Sequence, residues 1–241
     1  MSGPLDVLAI FAHPDDAELL CGGTLAKSAD AGQRVGILDL TRGEMGSQGT
    51  PEVRAGEAEK AAGILGVTLR RNLGMPDSRL ENTEGNRLAL AAALRELRPR
   101  VVVTHWKVGR HRDHRLTCEL VRDACFLSAL KKLDAPGEPF RPRVLAYATG
   151  FREDADPPSF VVDVTDQMDR KLAAVMAYRS QFEGKTQAGE VFPGGDRPLP
   201  DQIRAKCAHY GSLIRAAYGE PFRVDETLEL DSLSALTVSS F

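Results

Sequence analysis

The chain is 241 residues long, 42% hydrophobic and 27% charged, with a formal net charge of -3. That length and apolar content suit one domain with a full core, expected to span residues 1–241. Basic residues are interspersed with acidic ones rather than gathered into a stripe, which argues against a nucleic-acid partner, and no run approaches the ~18 apolar residues of a membrane span.

The opening Met-Ser-Gly-Pro-Leu-Asp has no basic segment leading into an apolar one, so a cytoplasmic protein is expected. Residues 5 to 12 are a nearly continuous apolar run, as in a strand buried on both faces. A helix is predicted from about Glu18 to Ala29, closed by Gly32, then a strand from Val35 to Leu40. Pro51 to Leu65 reads as a helix with Pro at its start and Gly66 past its end, followed by a short strand, Thr68 to Asn72. Helix Glu84–Leu97, strand Arg100–His105, a helix from His114 to about Leu130, and strand Val144–Ala148 continue the alternation. The pattern predicts a three-layer, Rossmann-like, doubly wound α/β fold with a mostly parallel sheet of order 3-2-1-4-5.

Further along, Phe160–Val164 reads as a strand, Gln167–Gln181 as a helix and Pro200–Ala217 as another. The Gly- and Pro-rich stretch from Gly184 to Pro198 between them is expected to be a loop shaping a pocket or an interface. Cys21, Cys118, Cys125 and Cys207 form no C-x-x-C pair and read as reduced thiols in or near the core.

Two polar clusters stand at the ends of buried strands. The first strand ends in Ala12-His13-Pro14-Asp15-Asp16-Ala17-Glu18, and the fourth is followed by His111-Arg112-Asp113-His114. Alone, the first could be an acidic helix start and the second a solvated loop. In the expected strand order they face one another across the topological switch point. His13, Asp16 and His114 then supply the three ligands of a catalytic zinc site, and Asp15, one residue before Asp16, is free for general-base work. Two histidines and a carboxylate also suit ferrous iron. His111 is expected, in protonated form, to stabilise an oxyanion or deliver a proton to a leaving amine, with Asp113 holding its tautomer. His105, ending a strand beside Trp106, reads as a packed, hydrogen-bonded imidazole, and His209 as a surface or interface residue.

With both clusters placed, the chain resembles the PIG-L/LmbE-like superfamily of zinc-dependent N-deacetylases. Further matches are Thr41-Arg42-Gly43-Glu44-Met45-Gly46, the Arg54 and Glu57 pair, Pro76-Asp77-Ser78-Arg79-Leu80, and Tyr178-Arg179-Ser180-Gln181-Phe182. Several of these look most like the bacillithiol biosynthesis deacetylases, which act on N-acetylglucosaminyl malate. The resemblance implies a small-molecule N-acetylglucosamine conjugate as substrate, a zinc ion on His13, Asp16 and His114, Asp15 as base with His111 as its partner, and a homo-oligomer, often a hexamer. It further implies that Glu44, Arg54 and Asp77 line the sugar pocket. Arg110, Arg112, Arg42 and Arg179 are candidates by charge for the malate carboxylates. Arg112 departs from the family's usual Pro in the second motif. Thiol-conjugate amidase and chitooligosaccharide deacetylase activities are alternatives. A nucleotide-binding module is a reading of another class, opposed by the missing G-x-G-x-x-G turn, and a two-metal phosphoesterase would recruit more ligands.

Overall fold

The structure is a computed structural model that describes residues 3–149, 157–184 and 197–235. Its seven-stranded sheet has the order β3-β2-β1-β4-β5-β7-β6. Strands β1 (Val7–Phe11), β2 (Val35–Thr41), β3 (Leu69–Met75), β4 (Val101–His105) and β5 (Val144–Ala148) pair in parallel in the order expected. The helices between them are α1 (Asp16–Asp30), α2 (Pro51–Leu65), α3 (Glu84–Leu97) and α4 (Arg112–Leu127). Strand β6 (Phe160–Asp163), helices α5 (Met168–Val175), α6 (Arg179–Phe182) and α7 (Leu199–Ser212), and strand β7 (Gly219–Arg223) complete the framework.

Alternation along β1 sorts side chains to two cores. Leu8 and Ile10 pack with Leu90, Leu94, Leu120 and Val121 of α3 and α4, while Val7, Ala9 and Phe11 pack with Ala17, Leu20 and Leu25 of α1. Helix boundaries follow local chemistry. Thr50 and Thr83 cap α2 and α3 by accepting from Val53 N and Asn86 N, and Gly66 ends α2 at φ 76°.

Strand β7, Gly-Glu-Pro-Phe-Arg, is absent from the sequence-based expectations. It inserts antiparallel between β5 and β6. Its Glu220 reaches a break in α1 at Cys21 (φ -142°), where Oε1 accepts from Gly23 N (2.9 Å) and Oε2 from Thr24 N (2.6 Å). Lys171 of α5 neutralises it, with Nζ 2.5 Å from Oε1 and both side chains 1% exposed. The helix predicted over 167–181 divides into α5 and α6. Between them Tyr178 turns into the core, where its hydroxyl donates to Glu18 Oε1 (3.1 Å). The expected Gly184–Pro198 loop lies mostly outside the described residues, which resume at 197. Cys21, Cys118 and Cys207 are buried and Cys125 half-buried, all free thiols, and burial pushes Cys118 and Cys125 up to about 12. No helix among the described residues is long and apolar enough to cross a membrane.

Candidate metal centre

The neighbouring strands β1 and β4 deliver the two polar clusters to one place at the carboxyl edge of the sheet. Asp15 leaves β1's turn with φ 111°, a conformation that favours glycine, and α1 begins at the next residue. The Asp16 carboxylate is held by the His13 amide (2.8 Å) and lies between two imidazoles. Its Oδ2 is 3.2 Å from His13 Nδ1 and its Oδ1 3.2 Å from His114 Nε2. Each of the two histidines expected as ligands therefore borders Asp16, although among the described residues His13, Asp16 and His114 do not themselves form one of the donor sets compact enough to share an ion.

His105 packs beneath them, stacked on His114 with ring centroids 3.9 Å apart and edge-on to Phe11. Its Nε2 accepts from Ala12 N (3.3 Å) and lies 3.3 Å from Asp16 Oδ2. Burial, with His114 beside it, pushes this imidazole down to about 3, so it is neutral. The packed, hydrogen-bonded reading of His105 fits this geometry, and its nearness to Asp16 was signalled in the sequence only by position, at the carboxyl end of the strand beside the switch point.

Charge tests whether this pocket suits a cation. Asp15, Asp16, Asp77 and Asp113 converge on it, against the guanidinium groups of Arg54 (2.7 Å from Asp15) and Arg112 (3.1 Å from Asp113). Four carboxylates outnumber the two guanidinium groups, so the pocket favours a further cation, a place that His13 takes here in its protonated form. Burial opposes protonation of His13, yet the carboxylates of Asp113, Asp16 and Asp77 around its ring hold its pKa well above the ordinary range. Burial likewise pushes Asp16 up, but His114 and His105 keep it well below the usual carboxylate range. Three overlapping donor sets have atoms within 4.8 Å of one another: His13, His111 and His114; Asp16, His105 and His114; His13, Asp77 and Asp113. Borderline nitrogen donors with carboxylate oxygens suit zinc or ferrous iron.

Asp15 has a different environment from its neighbour. Burial pushes it up to about 6, Arg54 pulls it down, and the nearby Asp16 raises it again. Arg54, itself 8% exposed, donates from Nη2 to Asp15 Oδ2 (2.7 Å) and Pro14 O (2.9 Å), and from Nη1 to Gly43 O (3.3 Å). Gly43, at φ 66°, has no side chain because the Arg54 guanidinium occupies the space a Cβ would need. Below this turn Glu18 is fully buried against Arg70 (2.5 Å), which also pairs with Asp39 (2.8 Å). These links from Arg54, Arg70 and Tyr178 to the acidic turn span 39 to 160 residues and left no local signal.

The remaining expected site residues fall differently. Asp77 is 4% exposed, with Oδ1 3.1 Å from His13 Nε2 and Oδ2 accepting from Met45 N (2.9 Å). Glu44, at the surface, accepts from Asp77 N (2.8 Å). The Asp113 carboxylate does not hold His111: its Oδ2 accepts from Ser78 N (2.7 Å) and faces His13, and only its backbone amide donates to His111 Nδ1 (3.2 Å). The reason is geometric, since His111 is the N-cap of α4 and its ring reaches back to the amide of the first turn. His111 is also neutral rather than protonated, because burial and the neighbouring His114 and His13 push it down to about 4. With Nδ1 accepting, its proton sits on Nε2.

Arg112, about half exposed, donates to Leu80 O (2.9 Å) as well as to Asp113, which ties the start of α4 to the Pro76–Leu80 segment. Arg110 and Arg42 are exposed on their loops, and Arg179 pairs with Glu183 (2.8 Å).

A family model described as PIG-L, GlcNAc-PI de-N-acetylase, matches residues 8–125, which include both polar clusters. The crystal structure of a conserved protein from Thermus thermophilus is 42% identical, with TM-score 0.85 over 94% of this chain and 97% of that one. A probable N-acetyl-alpha-D-glucosaminyl L-malate deacetylase of Bacillus anthracis is 30% identical over 77% of this chain and 85% of its own. A diacetylchitobiose deacetylase of Thermococcus kodakarensis is 33% identical over 90% of this chain and 82% of its own. With the fold, both motifs and these relatives in agreement, the chain belongs to the PIG-L family and is a deacetylase, a hydrolase of N-acetyl amides.

Proposed function

We propose that this protein removes the acetyl group from N-acetylglucosaminyl malate, releasing acetate and glucosaminyl malate, as in bacillithiol biosynthesis, and that zinc is its metal. The observation that carries the chemistry is the Asp16 carboxylate 3.2 Å from both His13 Nδ1 and His114 Nε2, with Asp15, paired to Arg54, beside it. His13, Asp16 and His114 would hold the ion, which supplies Lewis acidity toward a water and the acetyl carbonyl. Asp15 is raised to about 6, close to the working range of a general base at neutral pH, and Arg54 aims its carboxylate. Asp15 takes a proton from the attacking water as its oxygen bonds to the carbonyl carbon. The Nε2–H of neutral His111 donates a hydrogen bond to the carbonyl oxygen as charge gathers there. When the C–N bond breaks, the proton held by Asp15 passes to the departing amine nitrogen, leaving acetate and a free amine.

The malate-bearing substrate draws support from the Bacillus anthracis relative and from the resemblance around the Thr41–Gly46 and Tyr178–Phe182 segments. The exposed Arg110 is a candidate for its carboxylates. A second reading, deacetylation of a chitooligosaccharide, is favoured by the Thermococcus kodakarensis relative, which is 33% identical over 90% of this chain. Acetate release from N-acetylglucosaminyl malate and from diacetylchitobiose, at equal concentrations of zinc-loaded enzyme, separates the two. A kcat/KM at least about tenfold higher for the malate glycoside is expected, and parity or the reverse order would discard the malate assignment. A homo-oligomer, hexameric as in this group, completes the proposal and is checked by light scattering.

A further inference from the structure

We propose that the buried Lys171–Glu220 pair is a positioning device for the leading end of α1, setting where Asp16 stands relative to His13 and His114. The inference rests on the metal-centre reading above and deepens it.

Three observations carry it. First, the pair stands inside the hydrogen-bond ladder of α1. In an unbroken helix the Gly23 amide would donate to the Leu19 carbonyl, four residues back. Here Gly23 N donates to Glu220 Oε1 (2.9 Å), and Leu19 O accepts from Lys171 Nζ (2.8 Å). With Nζ 2.5 Å from Oε1, an ion pair brought by α5 and β7 fills the place of one helical bond. Glu220 Oε2 accepts from Thr24 N (2.6 Å), so the same carboxylate caps the helix body that follows. Cys21, at φ -142° and ψ 18°, marks the offset between that body and the leading segment 16–20.

Second, the sequence at the break is shaped to admit the pair. A Cβ on Gly23 would come within 2.8 Å of Val164 Cβ and 3.2 Å of Glu220 Oε1, so glycine is what lets the carboxylate reach the amide. Both charged side chains are 1% exposed. A buried ion pair is a poor means of gaining stability, because apolar residues of similar volume often serve as well or better. The geometry that the pair imposes on α1 accounts for its presence.

Third, the segment ahead of the break carries the site and is held through contacts from distant elements. Asp16 accepts from His13 N (2.8 Å) and borders His114, Glu18 meets Arg70 and Tyr178, and Leu19 O is held by Lys171. Closing the break to an ordinary helical φ of about -63° would turn Cys21 by about 80° and swing Asp16 with the segment. A misplacement of about 1 Å at a reacting centre can cost about 10²-fold in rate.

The test compares wild type, the double variant Lys171→Met/Glu220→Gln and the single variant Glu220→Asp. Each is measured for metal-free Tm, for zinc affinity in competition with a chromophoric chelator, and for kcat and KM at saturating zinc. The double variant removes both charges but keeps side-chain length, so its Tm should stay close to that of wild type. Glu220→Asp keeps both charges and draws the carboxylate back by one methylene. In both, zinc affinity is expected to fall about 10-fold or more and kcat with it, while KM for the N-acetylglucosamine substrate stays within about twofold. A merely structural pair would move Tm alone. Zinc affinity and kcat within about twofold of wild type in either variant would overturn the inference, as would a raised KM at unchanged zinc affinity. Failure of wild type to bind zinc would instead overturn the metal-centre reading, and this inference with it.

Discussion

Replacing Arg54 by Met should move the acid limb of the pH–rate profile upward rather than scale the whole profile down. Arg54 Nη2 lies 2.7 Å from Asp15 Oδ2, and the two side chains are only 9% and 11% exposed, so solvent screens the pair little. A cation in that position lowers a carboxyl pKa by about 1–3 units. With Arg54 present Asp15 stands at about 6, where burial pushes it against the pull of Arg54. Without it the group moves to roughly 7–9, and the deprotonated share at pH 7 falls from about nine-tenths to between about a half and a hundredth. Turnover one pH unit above the wild-type limb should then drop about 2- to 100-fold and recover at higher pH. A bound dication lowers Asp15 in both proteins, so the absolute limbs lie lower but their separation persists. The assay is kcat/KM for acetate release between pH 5 and 9.5 at saturating metal, with Arg54→Lys as the charge-retaining control. An equal fractional loss at every pH, with the limb unmoved, would refute the reasoning and place Arg54 in substrate binding.

Asp15→Asn should keep zinc but lose about 10²–10⁴ in kcat, since Asn tolerates the positive φ of that position yet cannot take a proton; near-normal turnover would remove Asp15 from the base role. The same change should stabilise the metal-free protein. A carboxyl raised from 3.8 to about 6 on folding weakens the native state as pH rises through that window, so a gain of about 1–3 kcal/mol in denaturant titrations at pH 8 should shrink toward pH 4. His114→Ala, which removes the imidazole 3.2 Å from Asp16 Oδ1, should lower zinc affinity more than about 100-fold in chelator competition; a smaller loss would point to another donor set. Lys171→Met strands the buried Glu220 carboxylate and should cost about 3–5 kcal/mol, a Tm fall on the order of 10 °C by calorimetry, largely recovered by adding Glu220→Gln; an unchanged Tm would show the pair contributes nothing.

Much of the framework is legible in local sequence. Apolar runs of strand length, Thr50 and Thr83 as caps, and Gly66 after α2 each act within a few residues, and they locate β1 to β5 and α1 to α4 to within a few positions. Strand β7 escaped because Glu220 and Pro221 sit in its middle. Pro is tolerated where its missing N–H is not needed, and Glu only because Lys171 and the broken turn of α1 receive its charge. Neither compensation is visible along the chain.

At the site, residue types and their order were enough to nominate the proposed metal donors and base, because parallel β/α topology places the ends of β1 and β4 side by side whatever the details of packing. Which atom each residue touches was decided only by tertiary structure. Arg54 is found facing Asp15 and Asp77 facing His13, and Asp113, expected behind His111, also faces His13. The sequence also could not foresee that His111 is neutral, since its low pKa comes from burial and from two histidines that belong to different loops. Proton positions and hydrogen-bond pairings depend on burial and on distances of about 3 Å between loops far apart in the chain, and local residue patterns carry no information on either.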